Sequence, residues 1–414
     1  MSIPRGAVAT MRWAAAESRR EGSAAPGAAP AEAVEVAEAL AAGLGEGPID
    51  LVLAFMTADL TGAAEAIAET MRRRLAPGCF AATSGGSVIG ATREYESGPA
   101  LTAIAARLPG VEVKPFVLAS SAWRAAADDP AEFARHTPGA AGAELVLLFT
   151  DPFSLDADRV LYAFNRHAPG VRVVGGAASA GARPGANVIA LNDWVAHEGG
   201  IGIALAGALR ADVVVSQGCR PVGPPLQVTK VDTNMILELD GQPALERAEQ
   251  VLRGLSESER EMLKHGLYVG RPAKGDASGR GDYLIRNLMG ADRDRGALAV
   301  ADRMAARERV RLHVRDAATA LEDLELLLAP QEFDSQAAGA LLFSCNGRGR
   351  RFFGAPDRDI TTLQAALGGD VPAAGFFCAG EIGPVGGRNF VHGHTASIAI
   401  VRGPRTTTPA SEKP

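Results

Sequence analysis

Two short turns carry the residue types best suited to chemistry. "FSCNGRGRRFF" sets Cys345, Asn346 and Arg348 directly after one apolar run, and "GFFCAGEIGPVGGRN" sets Cys378, Gly380, Glu381 and Arg388 directly after another. A guanidinium is a planar fork that fits a carboxylate, and a carboxylate accepts from an ammonium group. Arg348 and Glu381 on adjacent turns would suit a small ligand bearing both charges; a surface Arg–Glu pair with no ligand is the plainer reading. Glycines in such turns let backbone N–H groups approach an anion, or simply let strands corner and pack. Arginines near Cys345 would lower its pKa and raise its reactivity, whereas a buried thiol at a strand end would be inert packing. His392 and His394 in "FVHGHT" are the only local bases. An i, i+2 spacing on a strand would put both on one face, an arrangement that also suits a metal. No acid or thiol stands at an interpretable spacing beside them, so no catalytic residue, metal or cofactor is assigned.

The elements that must position these turns recur along the chain. "IDLVLAF", "AAEAIAETMRRRLAPG" and "CFAATSGGSVIGA" form one series; "AELVLLF", "DADRVLYAFNRHAPG" and "VRVVGGAASAGAR" form a second; "AGALLFS", "DITTLQAALGGD" and "VPAAGFFCAGEIGP" form a third. Each runs apolar strand, amphipathic helix, apolar strand, glycine-rich turn. The near-continuous apolar runs fit strands covered on both faces. Helical spacing places Ala64, Ile67, Ala68, Met71 and Leu75 on one stripe, and Val160, Leu161 and Phe164 on another. Parallel strands joined by a helix make a right-handed crossover, which brings the ends of strands 340–344 and 372–377 to one edge. Ligands of open α/β sheets bind at such carboxyl ends, so "CNGRG" and "CAGEIG" should face one crevice.

Between the second and third series the pattern changes. "LQVTKVDTNMILELDGQPALERAEQVL" reads as strand, Asp-Gly turn and helix, "SESEREMLKHG" as a Ser-capped helix, and "YVGRPAKGDASGRGDYLIRNL" as a glycine-rich loop. "RVRLHVRDAATALEDLELLL" reads as a strand and then a helix with Asp316 as N-cap. A boundary is placed at "RPVGPP", where prolines should stop any regular element.

The chain has 414 residues, 47% hydrophobic and 22% charged, with a formal net charge of −6. That acidic balance offers no attraction to nucleic acid or to an anionic membrane, and no stretch reaches the roughly 18 apolar residues of a membrane helix. Four scattered cysteines without close pairing fit free thiols in a cytoplasm. The segment from Ser23 to Pro30 is expected to be a mobile loop and the tail a disordered one; the N-terminus has no apolar core of a secretory signal, and its Ala, Arg and Ser bias leaves a transit peptide open.

From about Met11 to Val401 the ordered features resemble the FIST family, a sensory domain of signal-transduction proteins and some F-box proteins. "LVLLFTDPF" and "VRVVGGAASAG" resemble its N domain. "VTKVDTNMILELDGQPALE", "YLIRNLMGAD", "VRLHVRDA", "LLFSCNGRG" and "GFFCAGEIGPVGG" resemble its C domain. The resemblance implies a sensor that binds small ligands, amino acids or related carboxylates, and implies no known catalysis. Arg286 and Asn287 match the family's "RN" piece and would reach the crevice with Cys345, Asn346, Arg348, Gly380 and Glu381. Arg315 and Asp316 match its "RD" piece, for which a helix cap is the alternative account. The expected architecture is α/β, two lobes of mixed sheets flanked by helices and built from repeated β-α-β-Gly-turn-β units. The expected division is a partly flexible segment 1–45, an N-like domain 46–224, a C-like domain 225–402 and a disordered tail 403–414. No output segment stands beside the FIST-like region, so a signalling partner would be a separate protein. A small-molecule enzyme using Cys345, and a protein-interaction scaffold without ligand, are the competing readings.

Overall fold

Apolar runs buried on both faces build three six-stranded sheets around one shared core. A computed structural model describes residues 10–19, 29–119, 123–273 and 283–404. The first sheet runs Arg12–Arg19, Ala100–Arg107, Leu51–Thr57, Cys79–Gly85, Ile189–Leu191, Trp194–Ala196. The second runs Val111–Leu118, Gly200–Gly207, Leu145–Thr150, Arg172–Ala177, Glu381–Val385, Arg388–His392. The third runs Arg210–Gln217, Thr395–Arg402, Gly339–Cys345, Ala373–Cys378, Val88–Ile89, Glu94–Tyr95. In each, the third and fourth strands are parallel and joined by the expected helical crossover, and the second runs antiparallel to the third. The protein is thus α/β, with mixed sheets flanked by helices.

The last two strands of every sheet are a hairpin lent by another part of the chain. The hairpin after Gly85 edges the third sheet, the one after Ala177 edges the first, and the one after Cys378 edges the second. Strands from both halves of the sequence therefore interlock, each following a glycine-rich turn.

Alternation along the central strands explains why they are apolar throughout. Leu51, Leu53, Phe55, Leu145, Leu147, Phe149, Leu341 and Phe343 point inward to the common core. Val52, Ala54 and Met56, then Val146 and Leu148, then Ala340 and Leu342, point outward. Helices Ala29–Leu44 and Ala64–Leu75 cover the first outer face, Pro130–His136 and Ala157–His167 the second, and Ala317–Leu328 and Arg358–Ala366 the third. A strand's two-residue period makes one run serve both layers. Two glycines keep the parallel strands close: a Cβ on Gly175 or Gly375 would collide with the backbone carbonyl of Leu148 or Leu342.

A fourth, seven-stranded sheet occupies the intervening sequence, led by Cys219–Asp232 and including Arg309–Arg315, Leu267–Pro272 and Tyr283–Asp292. Three local expectations change here or are settled. The strand Cys219–Asp232 runs through "RPVGPP" instead of stopping, because its register slips between Val222 and Leu226, and prolines are tolerated at bulges. The flanks of the glycine-rich stretch are strands, with Val269 paired to Arg286 and Gly270 to Ile285; backbone pairing outweighs the local turn residues, and 274–282 lie outside the described residues. Asp316 does cap its helix, accepting from Thr319 N at 3.1 Å. At the N-terminus, Arg12–Arg19 pairs along Ala100–Arg107. Most of the expected Ser23–Pro30 loop, and residues 405–414 of the tail, lie outside the described residues. No helix among the described residues is long and apolar enough to cross a membrane.

Candidate functional site

The third sheet brings the two chemical turns together at one edge. Cys345 pairs in register with Cys378 on the parallel neighbour, so "CNGRG" and "CAGEIG" leave from the same end. Asn346 N donates to Cys378 O at 3.0 Å, and Ala177 N donates to Gly380 O at 2.9 Å, tying the second turn to the second sheet. Glu381 then opens a strand paired to Gly176; a Cβ at Gly176 would strike the Cys378 thiol. On the outer side, Asn346 Oδ1 accepts from Ser179 Oγ at 3.2 Å, and that hydroxyl accepts from Gly86 N at 2.9 Å. The glycine-rich turns of all three series meet here.

Arg348 and Glu381 are placed together but not on a surface. Both side chains are buried. The Arg348 fork closes on Asp359, Nε to Oδ2 and Nη2 to Oδ1 each at 2.7 Å, and Ser344 Oγ adds a third bond to Oδ2 at 2.6 Å. Asp359 sits in the first turn of helix Arg358–Ala366, where exposed N–H groups favour an acid. The exposed Arg–Glu pair of the plainer reading is therefore corrected: the ion-pair partner is Asp359, supplied by the crossover helix. Glu381 Oε2 accepts from Thr395 N and Oγ1 at 3.1 and 2.9 Å. Its Oε1 finds no N–H or O–H donor among the described residues; the Cys345 thiol, a weak donor, lies against that carboxyl group.

Cys345 is partly exposed, and its sulfur accepts from Gly347 N at 3.4 Å. Of the two readings of this thiol, activation by arginines or inert packing, its surroundings favour the second. Burial pushes the thiol up to about 12, with the Glu381 charge adding to the rise and Arg315 opposing it. Cys79 and Cys219 are likewise held near 12 by burial, and all four cysteines are free.

The histidines also differ from their expected arrangement. His392 ends its strand with Nε2 2.9 Å from Gly383 O, while His394 turns the chain at φ 66 and sets Nε2 2.8 Å from Asn287 Oδ1. A left-handed residue between the two strands breaks the one-face alternation. Burial lowers them to about 4 and 3, leaving neutral, weakly basic rings. Among the described residues no group of three or more His, Cys, Asp or Glu could hold a metal.

Asn287 therefore does reach the site, through His394. Arg286 does not project freely: its Nε binds Asp302 at 2.7 Å and its Nη1 binds Val391 O at 3.1 Å. Sequence reasoning underweighted Arg315 and missed Tyr268. Arg315 Nη2 donates to Gly347 O at 3.1 Å, and its guanidinium stacks 4.0 Å from the Phe352 ring centroid. The Tyr268 and His394 rings lie 4.4 Å apart. The "RD" piece was the available signal, but only Asp316 serves as the cap. Around Cys345, the atoms Glu381 Oε1, Arg348 Nη1, Arg315 Nε and His394 Nδ1 are buried without a conventional hydrogen-bond partner among the described residues.

Burial pushes Glu381 from 4.5 up to about 8, against the Thr395 hydrogen bonds and the Arg348 charge that pull it down. Between those two values the folded chain keeps a proton that the unfolded chain has released, so stability falls as pH rises through that window. Glu94, raised to about 8 mainly by burial and then by Asp359, acts in the same sense. His313, lowered to about 4 by burial, acts oppositely with His392 and His394, but these have released their protons in both states above the ordinary 6.5. Wild type should lose thermal stability from pH 6.5 to 8, and Glu381→Gln should flatten part of that fall. Equal slopes in melting scans of the two proteins would contradict the assignment.

Two family models together cover most of the chain. The chain belongs to the FIST family: the FIST N domain matches residues 50–242 and the FIST C domain matches residues 244–384. Uncharacterized protein Mb0898c of Mycobacterium bovis is 44% identical over 261 residues, which are 62% of this chain and 67% of that protein. Uncharacterized protein Rv0628c of Mycobacterium tuberculosis is 43% identical over 261 residues, 62% of this chain and 68% of its own. Among solved structures, a cyanuric acid hydrolase from A. caulinodans aligns over 95% of this chain and 100% of its own, at 8% identity and a TM-score of 0.36. That likeness is too distant to bear on the site.

Proposed function

We propose that this protein is a small-ligand sensor that holds an amino acid or a related carboxylate beside Cys345 and passes the state of the site to a separate protein. One observation carries the reading. Among the described residues, a Glu381 carboxyl oxygen with no partner beyond the weak thiol donor, and guanidinium nitrogens on Arg348 and Arg315 with none, gather around one part-exposed thiol. Buried polar atoms left unpaired are costly, about 1–3 kcal/mol each, and an amino acid brings both the ammonium donor and the carboxylate acceptor they lack. Asn346, Gly380, Asn287 and His394 frame the approach, and the ligand enters past Cys345. Arg348 acts from behind, its charge fixed by Asp359. Thiol catalysis has less support: a thiol held near 12 offers little thiolate at neutral pH, and the nearby imidazoles are weak bases.

Native mass spectrometry of gently purified protein tests the function. The expected spectrum carries one small molecule per binding-competent chain, recovered unchanged on denaturation. A chemically altered molecule would instead favour an enzyme, and a chain that never retains one would favour the scaffold.

A further inference from the structure

Away from the Cys345 edge, a cavity of about 470 Å³ opens where the borrowed hairpin joins the third sheet, with Arg19, Arg93, Glu94, Tyr95, Glu96 and Arg350 in its wall. The three arginines come from distant parts of the chain. Arg19 ends the strand Arg12–Arg19, Arg93 lies in the turn before Glu94–Tyr95, and Arg350 opens a short helix. None of the three guanidinium groups has an ion-pair partner among the described residues. Arg19 lies 5.9 Å from the Tyr95 ring centroid.

Three acids, Glu94, Glu96 and Asp357, share the wall, and Glu17 lies against Tyr95. Glu17 accepts from Tyr95 Oη at 2.8 Å and Ala91 N at 3.1 Å. Glu96 Oε1 accepts from Arg350 N at 2.8 Å, and Asp357 Oδ1 accepts from Glu94 N at 2.7 Å. Glu94, only 8% exposed, spends Oε1 on Asp359 N and Ile360 N, at 3.1 and 3.2 Å, and its Oε2 has no partner. The wall sets three arginines against Glu96 and Asp357, while Glu94, pushed up to about 8 mainly by burial, keeps its proton at neutral pH; one positive charge is left over beside a buried carboxyl oxygen that has no partner among the described residues. Its volume is that of a small-molecule site, and forked guanidinium groups favour carboxylate and phosphate oxygens.

We infer that this cavity is a second binding site, for a small organic anion carrying two or more negative charges, held by Arg19, Arg93 and Arg350 with Glu94 at its floor. The inference is independent of the amino-acid reading at Cys345. A carboxylate and a phosphate source share the chemistry and are separated by the probes. Calorimetry on the full chain at low salt would titrate succinate, citrate, inorganic phosphate and glycerol 3-phosphate. At least one probe should bind, and the preferred one tells carboxylate from phosphate. Arg93→Gln and Arg350→Gln should each weaken it by about tenfold, the scale of one charged hydrogen bond, while Arg253→Gln on a remote helix leaves it unchanged. Both altered side chains are exposed, and circular dichroism would verify that the variants fold. Absence of binding by all four probes at millimolar concentration, or equal affinity in wild type, Arg93→Gln and Arg350→Gln, would overturn the inference. Neither result would touch amino-acid binding at Cys345, which is measured separately.

Discussion

Arg348→Ala should destabilise the protein by about 3–5 kcal/mol, the cost of leaving one member of a buried ion pair alone. The Arg348 and Asp359 side chains are 0% and 1% exposed and meet through two bonds of 2.7 Å. Removing the arginine strands the Asp359 carboxylate where water cannot reach it, with Glu94 already close enough to disfavour a second negative charge. Asp359→Asn should cost a similar amount by stranding the cation. Arg348→Lys should cost less than alanine but more than a surface change, because a single ammonium cannot make both fork contacts. In the surface pair that the turn sequence suggests, this change would spare stability; burial of Arg348 makes it costly. The double variant Arg348→Met/Asp359→Leu should be more stable than either single one, since apolar replacement of a whole buried pair is often neutral. Urea unfolding of wild type, Arg348→Met, Asp359→Leu and the double variant completes that cycle, with Arg348→Ala, Arg348→Lys and Asp359→Asn measured beside them. A loss under 1 kcal/mol for Arg348→Ala, the behaviour of an exposed pair, would refute the buried arrangement.

The second large effect lies at the centre of the molecule. Phe55, Phe149 and Phe343 each belong to a different sheet, yet their ring centroids are 5.9, 5.7 and 6.3 Å apart around a triangle. Phe376 stacks on Phe55 at 5.5 Å. All four are at most 1% exposed. Phe343→Ala would open a cavity touching all three sheets, and large-to-small changes at such sites cost about 3–5 kcal/mol. Phe333→Ala makes the control, because that ring is 89% exposed and should change stability by no more than about 0.5 kcal/mol. Since the triangle joins the sheets, Phe343→Ala should lower the urea midpoint of one cooperative transition. A separate early transition for the third sheet would mean that the sheets do not share a core.

Local patterning made the central strands and crossover helices legible. The apolar runs at 51–57, 145–150 and 339–345 and the stripe through Ile67, Ala68 and Met71 could be read directly. The exchange of hairpins could not: "SVIGATREY" pairs with residues far along the chain, and nothing local records a partner at that separation. The same limit hid Asp359. Its spacing from Arg348 crosses a turn and a short helix, and only the folded crossover aims the two at each other. Cys345, Asn346, Gly380 and Glu381 were legible as neighbours because parallel pairing fixes where strand ends emerge. Their electrostatics were not, since a charge beside a thiol argues one way and burial the other, and burial depth is a tertiary property.

The most direct test of ligand binding at the Cys345 edge is calorimetric titration of the twenty standard amino acids into wild type, Glu381→Gln and Arg315→Lys. Glu381→Gln keeps an acceptor toward Thr395 but cannot ionise, whereas an incoming ammonium would draw Glu381, pushed up to about 8 by burial, into its charged form; Arg315→Lys keeps the charge but loses the fork. The account predicts that at least one amino acid binds wild type and that both variants weaken it by about tenfold, as expected for loss of a charged hydrogen bond. Binding of equal strength in all three proteins, or no binding of any amino acid to ligand-stripped wild type, would contradict it.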